Sequence, residues 1–436
     1  MTAETAKETI YKQDFQTSLE NANQPEWLEN LRRKAFAYFT ESGFPTMQNE
    51  EWKYTNVKTA VSRQWSVNGE ENLERNLAEF VFEESKRSVL VFTNGGFNKD
   101  LSNLEDLKDC SVLTFTEAFD DTKFGEILKS KLGKLVDSGK NGFTALNSAF
   151  IGEGAFVLIP KNVRIENPIQ FLYLTDEGAI SMPRVLAVAE EFAEATIIET
   201  FVRSAETEYF TNSVIEVSLA DEAKVKHYKV QRESHLAFNV GTTGAEIGRG
   251  SVYDATNINL GAKLSRHDIN FKFNAEGGEA FVDGLYMIGD EQHHDTHSVI
   301  DHALPNCVSH QTYKGIVDGK AHAVFNGKIF VRENASGTDG NQSNKNLLLS
   351  NDARVDTKPQ LEIFNDDVKC AHGATVGQLE EEELFYLLSR GLNETLTRNL
   401  LTYGFAEGIV NKITIPSIKK QLDEAVLNRL NANLEA

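Results

Sequence analysis

The spacing of hydrophobic residues changes twice along the chain. In the segment from Ser18 to about Lys58, apolar residues recur at the 3.6-residue period of a helix that buries one face. Gly43 and Pro45, which end helices, come after the last of these residues. The periodic residues are Leu19, Trp27, Leu28, Leu31, Ala35, Phe36 and Phe39. Two strand-like runs, SVLVF and SVLTF, lie between Ser88 and Leu113, and a charged helical stretch follows from Glu117 to about Ser138. The pattern predicts a mixed, mainly helical N-terminal domain over residues 1–145.

After Phe150 the helical period disappears for more than two hundred residues. Short β-rich runs alternate there with Gly, Asn and Asp, the residues of turns. A small residue recurs inside this region at intervals of 27 to 30 residues, at Ala195, Ala223, Gly250 and Ala280, and again between Ala323 and Ala353. Such a period is typical of a solenoid, whose units bury their apolar faces only by stacking.

We interpret residues 146–377 as a parallel β-helix core. The larger gaps from Ala155 to Ala195 and from Ala280 to Ala323, of 40 and 43 residues, are interpreted as units with an inserted loop. A large β-sandwich also has short strands at even spacing and remains the alternative. We favour the solenoid because the small residue recurs in phase.

Helical periodicity returns in residues 378–436. The run EEEELF places carboxylates in a first helical turn, where the helix dipole favours them. An apolar face follows, and a last amphipathic helix runs from Pro416 to about Ala432 with Ile418, Leu422, Val426 and Leu430 on one side. These faces can cap the end of the solenoid or bind a partner, and the spacing alone favours the cap.

Charge and cysteine content narrow the classes of function. The 436 residues carry a net charge of −21, which disfavours nucleic acid and anionic membranes as partners. The three cysteines are far apart and form no CxxC pair, so a disulfide framework is not expected. The N-terminus MTAETAKETIYKQDF has no apolar signal region, and no run of eighteen apolar residues occurs. We therefore predict a soluble cytoplasmic protein.

Histidines are concentrated in one part of the predicted solenoid. Seven of the ten fall within 56 residues, most densely in EQHHDTHSVIDH (Glu291–His302). On a strand, His293, Asp295 and His297 lie on one face, a set that can bind a divalent metal. The alternative is a hydrogen-bonding ladder between stacked coils. We favour the ladder, since ligand imidazoles need oriented partners of their own.

A second cluster, DDVKCAHGAT (Asp366–Thr375), places Cys370 and His372 two residues apart. On a strand both face the same way, and a thiolate beside an imidazole is either an activated nucleophile or a pair of metal ligands. The alternative is that Cys370 is a buried thiol that packs as a small hydrophobic residue. The spacing alone leaves both interpretations open.

No common catalytic motif is visible, because GxSxG, HExxH and GxGxxG are all absent. Many parallel β-helix proteins nevertheless degrade polysaccharides with acidic and basic residues on the solenoid face. Asp283, Arg332 and Asp339 are the candidates for such chemistry here. The predicted cytoplasmic location argues against this alternative.

Nearly the whole chain resembles the SufB/SufD family of iron–sulfur cluster assembly proteins. The resemblance is carried by three carboxy-terminal blocks and several upstream pieces. The blocks are DGLYMIGDEQHHDTHSVIDHALPNCVSHQTYKGIVDGKAHAVFNGKIFV, NQSNKNLLLSNDARVDTKPQLEIFNDDVKCAHGATVGQL and FYLLSRGLNETLTRNLLTYGFAEGIV. The upstream pieces are EEWKYTN, FTALNSAF, IPKNVRIENPIQ and MPRVLAVAEEFAEATIIE.

The helical opening with EEWKYTN, and HGAT in place of the His-Glu-Ala of the SufB branch, resemble the SufD branch. The cysteine regarded as a cluster ligand in SufB has no evident counterpart here.

The resemblance implies a right-handed parallel β-helix flanked by helical regions, and a scaffold role in the SUF system rather than catalysis. The implied partners are a SufB paralogue and the ABC-type ATPase SufC, with a homodimer as a further state in isolation. It implies that no cofactor is held stably by this chain alone and that an iron–sulfur cluster is bound transiently in the complex. The implied ligand at the SufB interface is His372, with Cys370 beside it, and the chain is expected to aid iron entry.

The implied docking surface for the ATPase lies at about Glu380–Ile413, at Phe385, Tyr386, Arg390, Gly391 and Phe405. This implication changes the expected role of the C-terminal apolar face from capping to partner binding. A purely structural partner without ligand chemistry remains an alternative.

Overall fold

The computed structural model describes residues 11–67, 69, 77–203 and 205–431. The first ten residues, the end of the last helix at Ala432 and the side chain of Leu430 therefore lie outside the described part of the chain. Within the described residues, the centre of the molecule is a parallel β-solenoid of about 8 turns, as predicted. The β-sandwich alternative is wrong, because neighbouring strands along the solenoid are parallel.

Each solenoid turn contributes one strand to each of two sheets. The first sheet has the order β2-β1-β5-β8-β10-β12-β14-β16-β18-β20, and the second has the order β19-β17-β15-β13-β11-β9-β7-β4-β3, with β6 beside β9. The antiparallel pairs in the described residues are β1 with β2 and β3 with β4. The strands are β1 Val89–Thr93, β2 Gly96–Asn103, β3 Ser111–Thr114, β4 Ala155–Ile159, β5 Ile169–Leu174, β6 Ile180–Ser181, β7 Arg184–Ala189, β8 Glu194–Val202, β9 Phe210–Leu219, β10 Lys224–Arg232, β11 Phe238–Ile247, β12 Val252–Asn259, β13 Leu264–Phe273, β14 Glu279–Ile288, β15 His293–His302, β16 Val308–Val317, β17 His322–Val331, β18 Thr338–Leu348, β19 Arg354–Ile363 and β20 Val368–Gly377.

The repeat through Ala195, Ala223, Gly250 and Ala280 comes from one corner of the solenoid, whereas Ala323 and Ala353 lie at strands of the second sheet. Just before successive strands of the first sheet, the chain turns through a residue with a positive φ between 58° and 73°. The next residue is small and buried, as at Ala193, Ala223 and Ser251. The residues with positive φ are Phe192, Glu222, Gly250, Gly277, Asn306 and Gly337. The left-handed turn redirects the chain into the next strand, so its chemistry recurs once per turn.

The interpretation of the two larger gaps as inserted loops is wrong. Ala155 lies in β4 of the second sheet, whereas Ala195 lies in β8 of the first. Ala280 and Ala323 likewise lie in β14 and β17, one in each sheet. The gaps are longer because each passes from a strand of one sheet to a strand of the other.

The N-terminal helices cover the outer face of the second sheet. They are α1 Lys12–Glu20, α2 Glu26–Ser42, α3 Lys58–Val61, α4 Phe115–Asp120, α5 Thr122–Lys131 and α6 Gly142–Ala149. The predicted helical opening is therefore two main helices, and the stretch from Glu117 is divided where Asp121 caps α5. An apolar cluster joins Phe15, Phe39 and Phe143 to Phe210 and Phe238 on the sheet.

The C-terminal helices are α7 Glu381–Ser389, α8 Glu394–Val410 and α9 Pro416–Asn431. The second half of α8 and the start of α9 pack on the outer face of the first sheet, where Ala406, Ile409 and Ile418 join Tyr228 and Leu285 in one apolar cluster. The prediction that these faces cap the solenoid end is therefore wrong, because they cover its side wall. No helix in the described part of the chain is long and apolar enough to span a membrane.

Candidate functional site

The last turn of the solenoid is open. Strand β19 pairs only with β17, and β20 pairs only with β18, so each has one edge that no strand of the described residues covers. Apolar side chains remain exposed beside these edges: Phe364 is 56% exposed, Val376 45% and Ile363 39%. The row of unpaired backbone N–H and C=O groups along each edge can accept a further strand.

Cys370 and His372 lie on β20, at this open end. The pair therefore sits on a strand and shares one face, as the spacing predicted. Cys370 faces the solenoid interior, where its side chain packs against the buried cluster of Ile329, Val331 and Ala335. A Cβ atom added to Gly340, its partner on β18, would lie 3.3 Å from the sulfur. Burial raises the pKa of the Cys370 thiol, and the carboxylate of Asp339 adds to the rise. A raised pKa disfavours the thiolate, which is the nucleophilic form of cysteine.

His372 differs from Cys370 in its exposure. It is exposed, and its partner in register on β18 is Gln342, which is only 3% exposed. Because side chains alternate along a strand, His372 lies on the same face of the sheet as Gln342 and continues the row of interior side chains. No strand of the described residues covers this end of the row. The structure thus brings one imidazole and one thiol to an uncovered interface.

The interior of the middle turns carries several ionisable groups. Glu233 accepts hydrogen bonds from Gln231 Nε2 at 2.7 Å and Asn239 Nδ2 at 2.8 Å. Burial nevertheless raises the pKa of Glu233 to about 7. Burial also lowers the pKa of the nearby Lys229 ammonium. The patterns that predicted β-strands gave no sign of these buried charges.

His293, Asp295 and His297 lie on β15, a strand, as predicted, but the structure does not favour a metal site there. In the described part of the chain, no group of three or more His, Cys, Asp or Glu side chains is arranged to hold a metal ion. His293 Nε2 lies 2.9 Å from Thr55 Oγ1, and Arg266 Nη1 donates to Asp295 Oδ2 at 2.8 Å. His297 Nε2 is 3.1 Å from Asp295 Oδ1. The set is a hydrogen-bonded structural cluster.

The packing of these three residues shifts the pKa of each of them. Burial on its own would raise the pKa of Asp295, but His297 and Arg266 hold that pKa well below its usual range. Burial opposes a charge on His297, yet Asp295 raises its pKa overall. Burial lowers the pKa of His293 to about 4. A charged Asp295 beside the Arg266 guanidinium and a neutral His293 therefore describe the cluster at neutral pH.

Part of this cluster comes from the segment Glu50–Asn56, which contains the motif EEWKYTN. Thr55 Oγ1 donates to Asp295 Oδ2 at 2.5 Å, and Glu51 Oε2 lies 3.2 Å from His297 Nδ1. Trp52 covers the guanidinium of Arg266 at 3.6 Å from its ring centroid. The segment thereby fastens the N-terminal region to the second sheet, a role that sequence reasoning missed because the contacts span more than two hundred residues.

The residues expected to bind the ATPase divide into two groups. Phe385 is 73% exposed and Tyr386 is 56% exposed on α7, a helix with no buried residue. The Arg390 guanidinium lies 5.2 Å from the Tyr386 ring, and the exposed Gly391 ends the helix with a φ of +92°. Phe405 on α8 is instead half-buried, and its carbonyl accepts a hydrogen bond from Lys314 Nζ at 2.8 Å.

The residues of the polysaccharide alternative do not form one site. Asp283 is buried against Lys412 Nζ at 2.6 Å, beneath the C-terminal helices. Arg332 pairs with Asp301, and Asp339 lies 3.3 Å from His310 Nε2. Each candidate thus has a different partner.

Comparison with known proteins gives consistent matches over most of the chain. A family model described as "SUF system FeS cluster assembly, SufBD core domain" matches residues 172–405, and one described as "SufBD protein N-terminal region" matches residues 1–171. An iron–sulfur cluster assembly SufBD family protein of Synechocystis is 37% identical over 414 residues, 92% of this chain and 90% of the relative. The SufD proteins of Escherichia coli and Bacillus subtilis are 30% and 28% identical, covering 89% and 92% of this chain and 90% and 94% of theirs.

Proposed function

This chain belongs to the SufBD family of iron–sulfur cluster assembly proteins, and from that premise we propose that it is a non-catalytic scaffold subunit acting with a SufB paralogue and the ATPase SufC. The observation that carries the proposal is the open last turn of the solenoid, with His372 on its edge. In this proposal the partner subunit supplies the further thiolates that a cluster needs. This chain acts in the cytoplasm.

The open edges support a β-helical partner. Proteins normally cover or break long strand edges, because such edges recruit other strands. Here β19 and β20 end the two sheets together, and exposed Phe364 and Val376 flank them. A second solenoid of the same width can continue both sheets and bury these apolar groups. In isolation, a second copy of this chain takes that position.

The exposed face of α7 supports docking of the ATPase. Phe385 and Tyr386 are large, mostly exposed aromatic side chains on a helix with no buried residue, and the Arg390 guanidinium contacts the Tyr386 ring. Aromatic residues and arginine are the side chains most often found at the energetic centre of interfaces. Phe405 has a different task, because it is half-buried and bonded to Lys314 of β16.

The packing of α8 suggests how nucleotide hydrolysis reaches the cluster site. The exposed start of α8 continues into its buried second half, which lies on the first sheet. That same sheet ends in β20, the strand that carries His372. Closure of two ATPase subunits would thus move α8 against the sheet and rearrange the interface at β20. His372 would then become available to iron, beside sulfur ligands of the partner, since mixed His and Cys ligation of iron–sulfur centres is known.

Cys370 is the second candidate ligand in this proposal. It shares the face of His372, but its raised pKa means that iron must displace a proton before the thiolate can bind. We therefore expect it to contribute less than the imidazole.

The decisive experiment replaces His372 by Ala in the complex co-expressed with both partners and measures iron and sulfide per complex. We expect the cluster yield to fall severalfold, while His310→Ala, an exposed histidine on the outer face of the same sheet, leaves it unchanged. Cys370→Ala should cause a smaller loss. Full cluster yield in an intact His372→Ala complex would leave only the structural partner as the role of this chain.

Docking is tested separately by co-purification of the ATPase. Phe385→Asp should abolish it, because a carboxylate cannot be buried unpaired in an interface. Phe192→Asp is the matched control, as Phe192 is also exposed, at 53%, but lies on a solenoid corner. Retention of the ATPase by the Phe385 variant would place the docking surface elsewhere.

A further inference from the structure

A chain of side-chain hydrogen bonds runs along the interior of the solenoid towards its open end. Gln311 of β16 and Gln342 of β18 are partners in register, and His372 of β20 is the next partner after Gln342. Gln311 Nε2 donates to Ser298 Oγ at 2.8 Å, and Gln342 Nε2 donates to Gln311 Oε1 at 2.7 Å. Ser298 Oγ also lies 3.1 Å from Gln311 Oε1. The amide donor of Gln342 therefore points away from the open end.

This direction leaves one acceptor unused. Gln342 Oε1 is buried, and within the described part of the chain it has no hydrogen-bond partner. An unpaired buried polar atom destabilises the fold unless a partner arrives. The side chains of this hydrogen-bonded row are held in place, because Ser298, Gln311 and Gln342 are each no more than 3% exposed.

The opposite wall is shaped to admit these two amides. Gly327 of β17 lies across the interior, and a Cβ atom there would come within 2.1 Å of Gln342 Nε2 and 3.0 Å of Gln311 Oε1. Any larger residue at this position would displace the amide pair. The glycine therefore leaves the space that the Gln342 amide occupies in this orientation.

We propose that Gln342 is a positioning residue for His372: its Oε1 accepts a hydrogen bond from one ring N–H of the imidazole. The second ring nitrogen then carries the lone pair and points to the open interface, where it binds iron. Neighbouring strands lie about 4.8 Å apart, so a ring on the same face reaches the amide. Histidine ligands characteristically donate their other ring N–H to a carbonyl or carboxylate, which selects the tautomer. This inference rests on the proposed function of His372 as a ligand.

The tautomer is measured directly in the full-length chain. Ring-¹⁵N-labelled histidine is incorporated, and the signals of His372 are identified by their absence from the His372→Ala spectrum. At pH 8.5, well above the ordinary histidine pKa of about 6.5, the two ring nitrogens of a single tautomer have widely separated shifts. In Gln342→Leu both tautomers become populated, so we expect the two shifts to move towards their average. Gln342→Glu should restore the separation, because its carboxylate still accepts from His372 while Gln311 turns to donate to it.

Thr357→Val is the matched control. Thr357 lies on β19 of the same last turn, and its buried hydroxyl likewise has no partner in the described structure. Its loss should leave the His372 shifts unchanged. Unchanged shifts in Gln342→Leu, or an equal effect of Thr357→Val, would overturn the proposal.

Cluster yield in the co-expressed complex gives the functional consequence. Loss of a hydrogen-bond partner of a ligand histidine typically lowers metal affinity or activity about 10–100-fold. We expect a reduction of about tenfold in Gln342→Leu, with the complex intact, and recovery in Gln342→Glu. If His372→Ala leaves the yield unchanged, the proposed function fails, whereas the NMR result still decides whether Gln342 orients the ring.

Discussion

Replacing Glu233 by Gln should stabilise the protein above neutral pH. Glu233 is buried inside the solenoid, and burial raises its pKa from 4.5 to about 7. A carboxylate whose pKa is higher in the folded state favours folding only while it is protonated. Its stabilising effect is complete below pH 4.5 and is lost as the pH rises to about 7.

The size of this effect on the free energy of unfolding follows from the difference between the two pKa values of Glu233. Each pH unit between the unfolded and folded pKa changes the free energy of unfolding by about 1.4 kcal/mol. The ionised side chain therefore costs about 3 kcal/mol at pH 8, and under about 1 kcal/mol at pH 5. Gln cannot ionise, and its carbonyl oxygen can still accept from the side-chain amides of Gln231 and Asn239. The variant should thus exceed the wild type by about 3 kcal/mol at pH 8 and match it closely at pH 5.

Urea unfolding at pH 5 and pH 8 measures this difference. Titrating groups that do not interact with Glu233 contribute equally to both proteins, so their contributions cancel when the two are subtracted. Glu126→Gln, an exposed change on α5, is the control and should show no pH-dependent difference. An equal stability difference at both pH values would refute the argument that Glu233 is destabilising when charged.

Two further predictions concern the packing of the solenoid. Asp295→Ala should lower the free energy of unfolding by about 1–3 kcal/mol, because it removes one of the two carboxylates that pair with buried Arg266, while Asp268 remains. Its control, Asp301→Ala, removes a pair with an arginine that is 53% exposed and should cost at most about 1 kcal/mol in the same urea measurement. Gly284→Ala should lower the thermal midpoint by several degrees, since the added Cβ would lie 2.1 Å from an aromatic ring of the next turn. Gly373→Ala, on the open edge with no atom within 4 Å of its Cβ, should leave the midpoint unchanged.

Local patterns predicted the fold well because the solenoid is built from local repetition. Each turn needs a residue such as Gly250 at its corner and a small residue such as Ala223 behind it, so the repeat is visible without knowledge of contacts. The strand position of Cys370 and His372, and their common face, follow from the same regularity. The two gaps near 40 residues were misread because a sequence pattern does not show to which sheet a strand belongs.

Long-range contacts decided the rest. The amphipathic pattern of α9 showed that one face is buried, but its partner on the side of the first sheet became visible only in the folded chain. The histidine and carboxylate set of β15 fitted a metal site by spacing, and contacts with Glu51 and Thr55 explain it instead. A pattern records which residues avoid water and does not identify their neighbours.

The sequence by itself determined the solenoid and its period, because a turn chemistry repeated at this interval permits few other folds, and its motifs carried the resemblance to the family. Only the tertiary structure decided which end of the solenoid is open, which helix faces stay uncovered and where Gln342 stands relative to His372. The physical reason is that hydrogen bonding and burial at these places depend on the register between strands about thirty residues apart in the chain, which no local preference specifies.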